Sequence, residues 1–165
     1  MQDQYSLFGN TERHLSVVRN DVRTGDAAEA FVIAKLLKWG YDAHDARRDL
    51  PYDVVVDDGI GSICRIQVKG RGCATKGSWG FRALRGNWRS ATGTYAYTDA
   101  DYDVLAFVAL SLEKVLFLPG IHPTFRASTA DFLREGVELE SWHQALQVFR
   151  AKTSPPVIRK TLGRG

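Results

Sequence analysis

Two short segments hold side chains able to do chemistry together. LPYDVVVDD carries Asp53 just before a run of valines, and CRIQVKG carries Gln67 and Lys69 two residues apart. At the two-residue period of a strand, Arg65, Gln67 and Lys69 share one face while Cys64, Ile66 and Val68 share the other. The apolar face packs, and the polar face lines something. A helix-forming segment upstream adds Glu29, which has Val32, Ile33, Leu36 and Leu37 at i+3, i+4, i+7 and i+8 and so reads as part of the apolar stripe. A carboxylate there needs a reason. Hydrolysis of a phosphodiester requires a hard divalent cation on oxygen ligands and a nearby positive group. Asp53, the Gln67 side-chain oxygen and the Val68 carbonyl can supply the oxygens, and Lys69 the charge. Plainer accounts stand beside this one. Glu29 suits the positive end of a helix by about 0.3–1 kcal/mol, and a solvated sheet face also alternates. Asp57 and Asp58 read as turn acids leading to Gly59.

These residues need elements to hold them. TGDAAEAFVIAKLLKWG predicts a helix capped by Thr24, with Asp26 in its first turn and Gly40 at its end. YDAHDA and PYDVVV predict short strands, and SICRIQVKG a longer one after a turn at GIG. A glycine-rich loop, GRGCATKGSWG, precedes a strand around Trp79–Leu84 and a basic stretch with no assigned element. DVLAFVAL predicts a strand covered on both faces, paired with KVLFLP through SLE. STADFLREG and SWHQALQVFRA predict helices. Residues 1–22 read as an arm, 23–152 as one domain, and 153–165 as a basic tail broken from the last helix by Pro155 and Pro156. The order of elements predicts an α/β or α+β fold with a central mixed sheet flanked by helices, and of the two the α/β class is the expectation.

At 165 residues, 44% hydrophobic and 25% charged, the chain suits one globular core. The formal charge is only +3, but its distribution is uneven. Between Gly59 and Thr98 there is no Asp or Glu, while Arg65, Lys69, Arg71, Lys76, Arg82, Arg85 and Arg89 all fall there. Trp79, Phe81, Trp88, Tyr95 and Tyr97 are interleaved, a mix suited to phosphates and bases. A solvated face is the alternative reading. Arg82, Arg85 and Arg89 share a face if that stretch is helical. Cys64 and Cys73 are too few for a disulfide scaffold and lack zinc spacing, with His44, His122 and His143 in no partner pattern. The absence of a leader or a long apolar run predicts a cytoplasmic protein. DADYD fails as a calcium loop because Val104 and Leu110 stand at the glycine and glutamate positions, and GRGCATKGS lacks the phosphate-loop order. His143 reads as a helix-surface or packed residue.

GDAAEAFVIAKLLKWGYDAH, LPYDVVVDD and CRIQVKG together resemble the helix, Asp strand and catalytic strand of the PD-(D/E)XK nuclease superfamily. The likeness is to its small branch of intron-encoded homing endonucleases and, more distantly, archaeal Holliday-junction resolvases. It runs from about Gly25 to Pro119. It implies a restriction-endonuclease-like core and DNA cleavage dependent on Mg²⁺ or Mn²⁺. In that pattern Asp53 is the metal-binding acid, Gln67 takes the acidic position of the (D/E)-x-K element, Lys69 is the catalytic lysine and Glu29 the helix acid. The basic residues Arg65, Arg71, Lys76, Arg82, Arg85 and Arg89 are then expected on DNA, and cutting both strands predicts a homodimer or homotetramer. Tyr52 separates the proline from Asp53, which does not affect the chemistry. Gln67 replaces a carboxylate, as in the QxK homing endonucleases, and leaves open a non-catalytic DNA-binding module or a subunit that depends on a partner.

Overall fold

A computed structural model describes residues 21–47, 49–86 and 93–153. It has a five-stranded mixed sheet of order β1-β2-β3-β7-β8. The strands are β1 (Asp42–Asp45), β2 (Val54–Asp57), β3 (Ile63–Arg71), β7 (Val104–Ala109) and β8 (Lys114–Pro119). Between β3 and β7 come β4 (Ser78–Arg82), β5 (Leu84–Gly86) and β6 (Thr94–Ala96), and β9 (Thr124–Ser128) follows β8. The helices are α1 (Asp21–Lys38), α2 (Thr129–Leu133) and α3 (Val137–Thr153). The β1, β2 and β3 strands form an antiparallel meander, β3 pairs in parallel with β7, and β8 returns antiparallel. This is the α/β arrangement with a central mixed sheet that the order of elements allows, and it agrees with the restriction-endonuclease-like core that the resemblance implies.

The sheet separates two apolar layers because β7 is buried along its whole length. On one side Val54, Cys64, Ile66, Val68, Ala106 and Val108 meet α1 and α3 through Ala28, Val32, Leu36, Trp142, Ala145 and Phe149. Glu138 ties that layer together, accepting from the Val115 N–H at 3.1 Å and pairing with Lys35 and Lys114. On the other side Leu105 and Phe107 lie under an antiparallel ribbon of β4 and β9, with Phe107 stacked on Phe125 at 4.5 Å and tilted against Phe81 at 4.7 Å. Helix α2 closes this layer with Phe132.

Several expectations shift. Helix α1 already includes Asp21 and Val22, so Thr24 is an interior helical residue and not a cap, and the expected boundary at residue 22 falls inside the helix. The Arg82–Arg89 stretch is not a helix as far as Gly86. Burial of Trp79, Phe81 and Ala83 at a period of two makes it extended, and β5 pairs with β6. Arg89 and Trp88 lie outside the described residues, as do residues 1–20 and the tail beyond Thr153. Strand β9 has no counterpart in the sequence reading, and α3 begins at Val137, ahead of the expected Ser141.

Gly70 sets how closely α1 approaches the sheet. A Cβ there would lie 2.5 Å from the Ala28 Cβ and 3.1 Å from the Thr24 carbonyl oxygen. Gly70→Ala is therefore expected to lower stability by about 1–3 kcal/mol through overpacking against helix backbone. Urea denaturation of the two proteins checks it, with a shift in midpoint at constant slope.

Candidate active site

Asp53 stands just outside the ladder. Its N–H donates to the Ile66 carbonyl at 2.9 Å and its carbonyl accepts from Ala46 at 2.8 Å, so its backbone is fixed on both sides. Because β2 begins only at Val54, its partner strand continues past it. The Val68 N–H there donates to Asp53 Oδ2 at 2.7 Å. Gln67 lies between these groups, only 4% exposed. Its Nε2 donates to the same Asp53 Oδ2 and to the Val68 carbonyl oxygen at 3.1 Å. An acid, an amide and a backbone carbonyl thus converge through one side chain.

The charges around them are strained in a characteristic way. Burial raises the Asp53 pKa above its ordinary range against the opposing pull of the Val68 N–H, Lys69 and Gln67, and the Asp45 charge adds to the rise. Burial lowers the Lys69 pKa, and the negative charges of Asp53 and Glu29 restore only part of it. Its ammonium lies 5.6 Å over the Tyr97 ring, and Tyr97 packs edge-on against Tyr102 at 5.0 Å. Burial raises the Tyr97 pKa as well, so the phenol stays neutral beside the lysine.

Glu29 reaches the site, but not as the apolar stripe implied. The buried line of α1 is Ala28, Val32 and Leu36, while Leu37 is 50% exposed. Glu29 is one residue round the helix from that line and half-buried. From there it faces a cleft of about 270 Å³ that it lines with Asp26, Asp45, Arg47, Tyr52 and Asp53. Asp26 and Asp45 were not expected in the site. Asp45 becomes a neighbour of Asp53 only once the β1–β2 register, Asp45 opposite Val54, is known. Asp57 is the last residue of β2, its Oδ1 accepting from the Gly59 N–H at 2.8 Å, and Asp58 is the turn acid, its Oδ1 accepting from the Ile60 and Ser62 N–H groups at 2.9 Å.

Among the described residues no three His, Cys, Asp or Glu side chains cluster as a metal site. The donors that do converge are of mixed type and all oxygen-bearing. The Gln67 amide already spans the Asp53 and Val68 oxygens, and turning that amide end for end presents its carbonyl to the same place. A buried carboxylate whose ionised form is disfavoured gains most from an adjacent cation. The set fits a hard divalent ion.

The basic residues divide by what they touch. Arg65 forms a two-pronged pair with Asp103, its Nε and Nη2 each at 2.9 Å, and its Nη1 donates to Ala100 O at 2.5 Å, so much of its donor capacity is already taken by partners within the protein. Arg71 donates to Gly80 O at 2.5 Å and to Thr75 Oγ1 at 3.3 Å. Arg85 lies 3.8 Å from Asp101. Lys76, in a left-handed turn position at φ 50°, and Arg82 are exposed. Trp79, Phe81 and Tyr97 are buried core rings and not surfaces for bases, while Tyr95 is 54% exposed.

Residues 19–135 match the family model for the PD-(D/E)XK endonuclease. The chain belongs to the PD-(D/E)XK endonuclease family. Nucleases of this family generally use divalent metals. Among solved structures, the bacterial homing endonuclease I-Ssp6803I is similar with a TM-score of 0.63 and 22% identity, covering 81% of this chain and 98% of that one. That likeness is one of fold, and it covers most of the chain. The Holliday junction resolvase Hjc of the archaeal hyperthermophile Archaeoglobus fulgidus aligns over 61% of this chain and 88% of its own, with 17% identity and a TM-score of 0.33. No curated protein matches the chain in sequence. At the position where the resemblance expects the acid of the final element, this chain carries an amide, Gln67.

Proposed function

We propose that the protein is a divalent-metal-dependent DNA endonuclease acting in the cytoplasm, with Asp53, Gln67, Lys69 and Glu29 as its working residues. One observation carries the reading: the Gln67 amide joins the Asp53 carboxylate to the Val68 carbonyl on the strand that also presents Lys69. Asp53, Gln67 and the Val68 carbonyl would hold Mg²⁺ or Mn²⁺, and Glu29, which lines the same cleft as Asp53, would hold a water or a second ion. When bound, the metal neutralises phosphate charge and makes a water a better nucleophile. Asp53 is held in place by the Val68 N–H, so little reorganisation is needed at the moment of reaction. Lys69 places positive charge beside the phosphate. Its lowered pKa also brings it nearer to accepting the proton of the attacking water. Cutting both strands of a duplex calls for a symmetric dimer or tetramer.

A second reading, a DNA-binding module without turnover, is favoured by the same amide. Gln67 satisfies both oxygens by itself and adds no negative charge. Incubation with supercoiled plasmid and with a synthetic four-way junction, in Mg²⁺, in Mn²⁺ and in EDTA, separates the two. Metal-dependent cutting that Asp53→Ala abolishes supports the nuclease. DNA retention in EDTA without cutting in any metal supports the module. Among the described residues no helix is long and apolar enough to cross a membrane.

A further inference from the structure

We propose that the outward face of the β4–β9 ribbon is a docking surface for the sugar-phosphate backbone of duplex DNA, with Arg126 as an anchor beside Arg71 and Arg82. The proposal rests on the reading of the protein as a DNA endonuclease. The ribbon alternates cleanly. Trp79 and Ala127 pair across it and are buried, as is Phe81, while Arg82 and Arg126 are exposed on the opposite face. Arg126 stands directly across from Gly80, and Arg82 is the next outward position along β4.

The absent side chain at Gly80 matters. Arg71 Nη1 lies 3.6 Å from where a Cβ would be and donates to the Gly80 carbonyl, so its guanidinium covers the glycine on the same outward face as Arg126. Lys76 extends from the turn that leads into β4, closed by reciprocal Thr75 and Ser78 hydrogen bonds of 2.9 and 3.0 Å. Among the described residues no carboxylate is within ion-pair distance of Arg71, Lys76, Arg82 or Arg126, whereas Arg65, Arg85, Arg134 and Arg150 each have one. Four cations, three on strands β3, β4 and β9 and one on the turn before β4, with no internal counter-charge match a polyanion.

Two further points select duplex backbone. The ribbon's rings turn inward, so its outward face has nothing on which unpaired bases could stack. Lys69 and Arg71 lie on the same face of β3, about 6.6 Å apart along the strand, and that advance is close to two nucleotide rises in a duplex. The ribbon therefore continues the line from the candidate active site. Planar guanidinium groups suit phosphate oxygens there.

The test is fluorescence anisotropy of the full chain on two duplexes of unrelated sequence and on a single strand, titrated across KCl concentrations in EDTA. Arg126→Ala is compared with wild type and with Arg134→Ala, which alters an arginine outside the ribbon strands whose side chain is already paired with Glu140 of α3. Arg126→Ala is expected to weaken both duplexes alike, about eightfold at about 0.1 M salt, and to reduce the salt slope by about 0.9. Arg134→Ala is expected to bind as wild type, and Arg126→Glu to lose more than Arg126→Ala. Unchanged duplex affinity and slope in Arg126→Ala, or a loss confined to the single strand or to one sequence, overturns the ribbon surface. Wild type that binds no DNA removes the DNA reading itself, a different result.

Discussion

Asp53→Asn is expected to abolish DNA cleavage, by on the order of 10³-fold or more, and at the same time to raise the melting temperature in EDTA at neutral pH. The loss follows from removing the carboxylate on which the proposed metal depends. The gain follows from burial, which lifts the folded-state pKa of Asp53 above its ordinary 3.8. As pH rises through that window the unfolded chain releases its proton first, so the folded state loses stability, and at neutral pH the whole cost is present. The asparagine oxygen keeps the Val68 and Gln67 hydrogen bonds without the charge. Differential scanning calorimetry at pH 4 and pH 7.5 checks the sign, since the advantage of the variant should shrink at the lower pH. A variant that melts below wild type at pH 7.5 in EDTA contradicts the account.

Gln67→Glu is the second large effect, and its sign depends on metal. Without metal it removes the donor that joins Asp53 to the Val68 carbonyl and places a carboxylate against a carboxylate. The expected cost is about 2–4 kcal/mol, growing as pH rises because both acids must ionise together. With Mg²⁺ the added charge becomes an advantage. Apparent metal affinity should rise about tenfold or more, and the melting temperature should recover to wild type or above. Melting curves against Mg²⁺ concentration measure both arms. Recovery without any tightening would mean that Gln67 does not face the metal.

How much of this was legible in sequence depends on how far each signal reaches along the chain. Asp53, Gln67 and Lys69 could be read because β2 and β3 are consecutive strands and the period of two assigns faces directly. The buried β7 could be read for the same reason, as an unbroken apolar run. Glu29 was placed in the right helix but on the wrong line. Its apolar neighbours Ile33 and Leu37 suggested a stripe that Ala28 and Val32 in fact form. Small residues carry a weak hydrophobic signal even where they mark the closest packing. Asp45, Arg126 and the Arg65–Asp103 pair were not legible, because each depends on strand registers that join distant segments. Trp79 and Phe81 were misread toward DNA because the layer they fill is closed by β9, which carries only one apolar residue of any size, Phe125.

Strand β3 lies between β2 and β7, and this has a consequence during synthesis. Glu29, Asp53, Gln67 and Lys69 have all left the ribosome once Lys69 has, yet the second neighbour of their strand is still to be made. Until Val104–Ala109 emerges, β3 is an open edge with unpaired N–H and C=O groups along one side. The Arg65–Asp103 clamp, spanning 38 residues, cannot close before then either. Joining these strands in parallel requires a long loop to be gathered first, a slow step. A nascent chain therefore carries the full set of candidate residues for some time without the scaffold that brings them together.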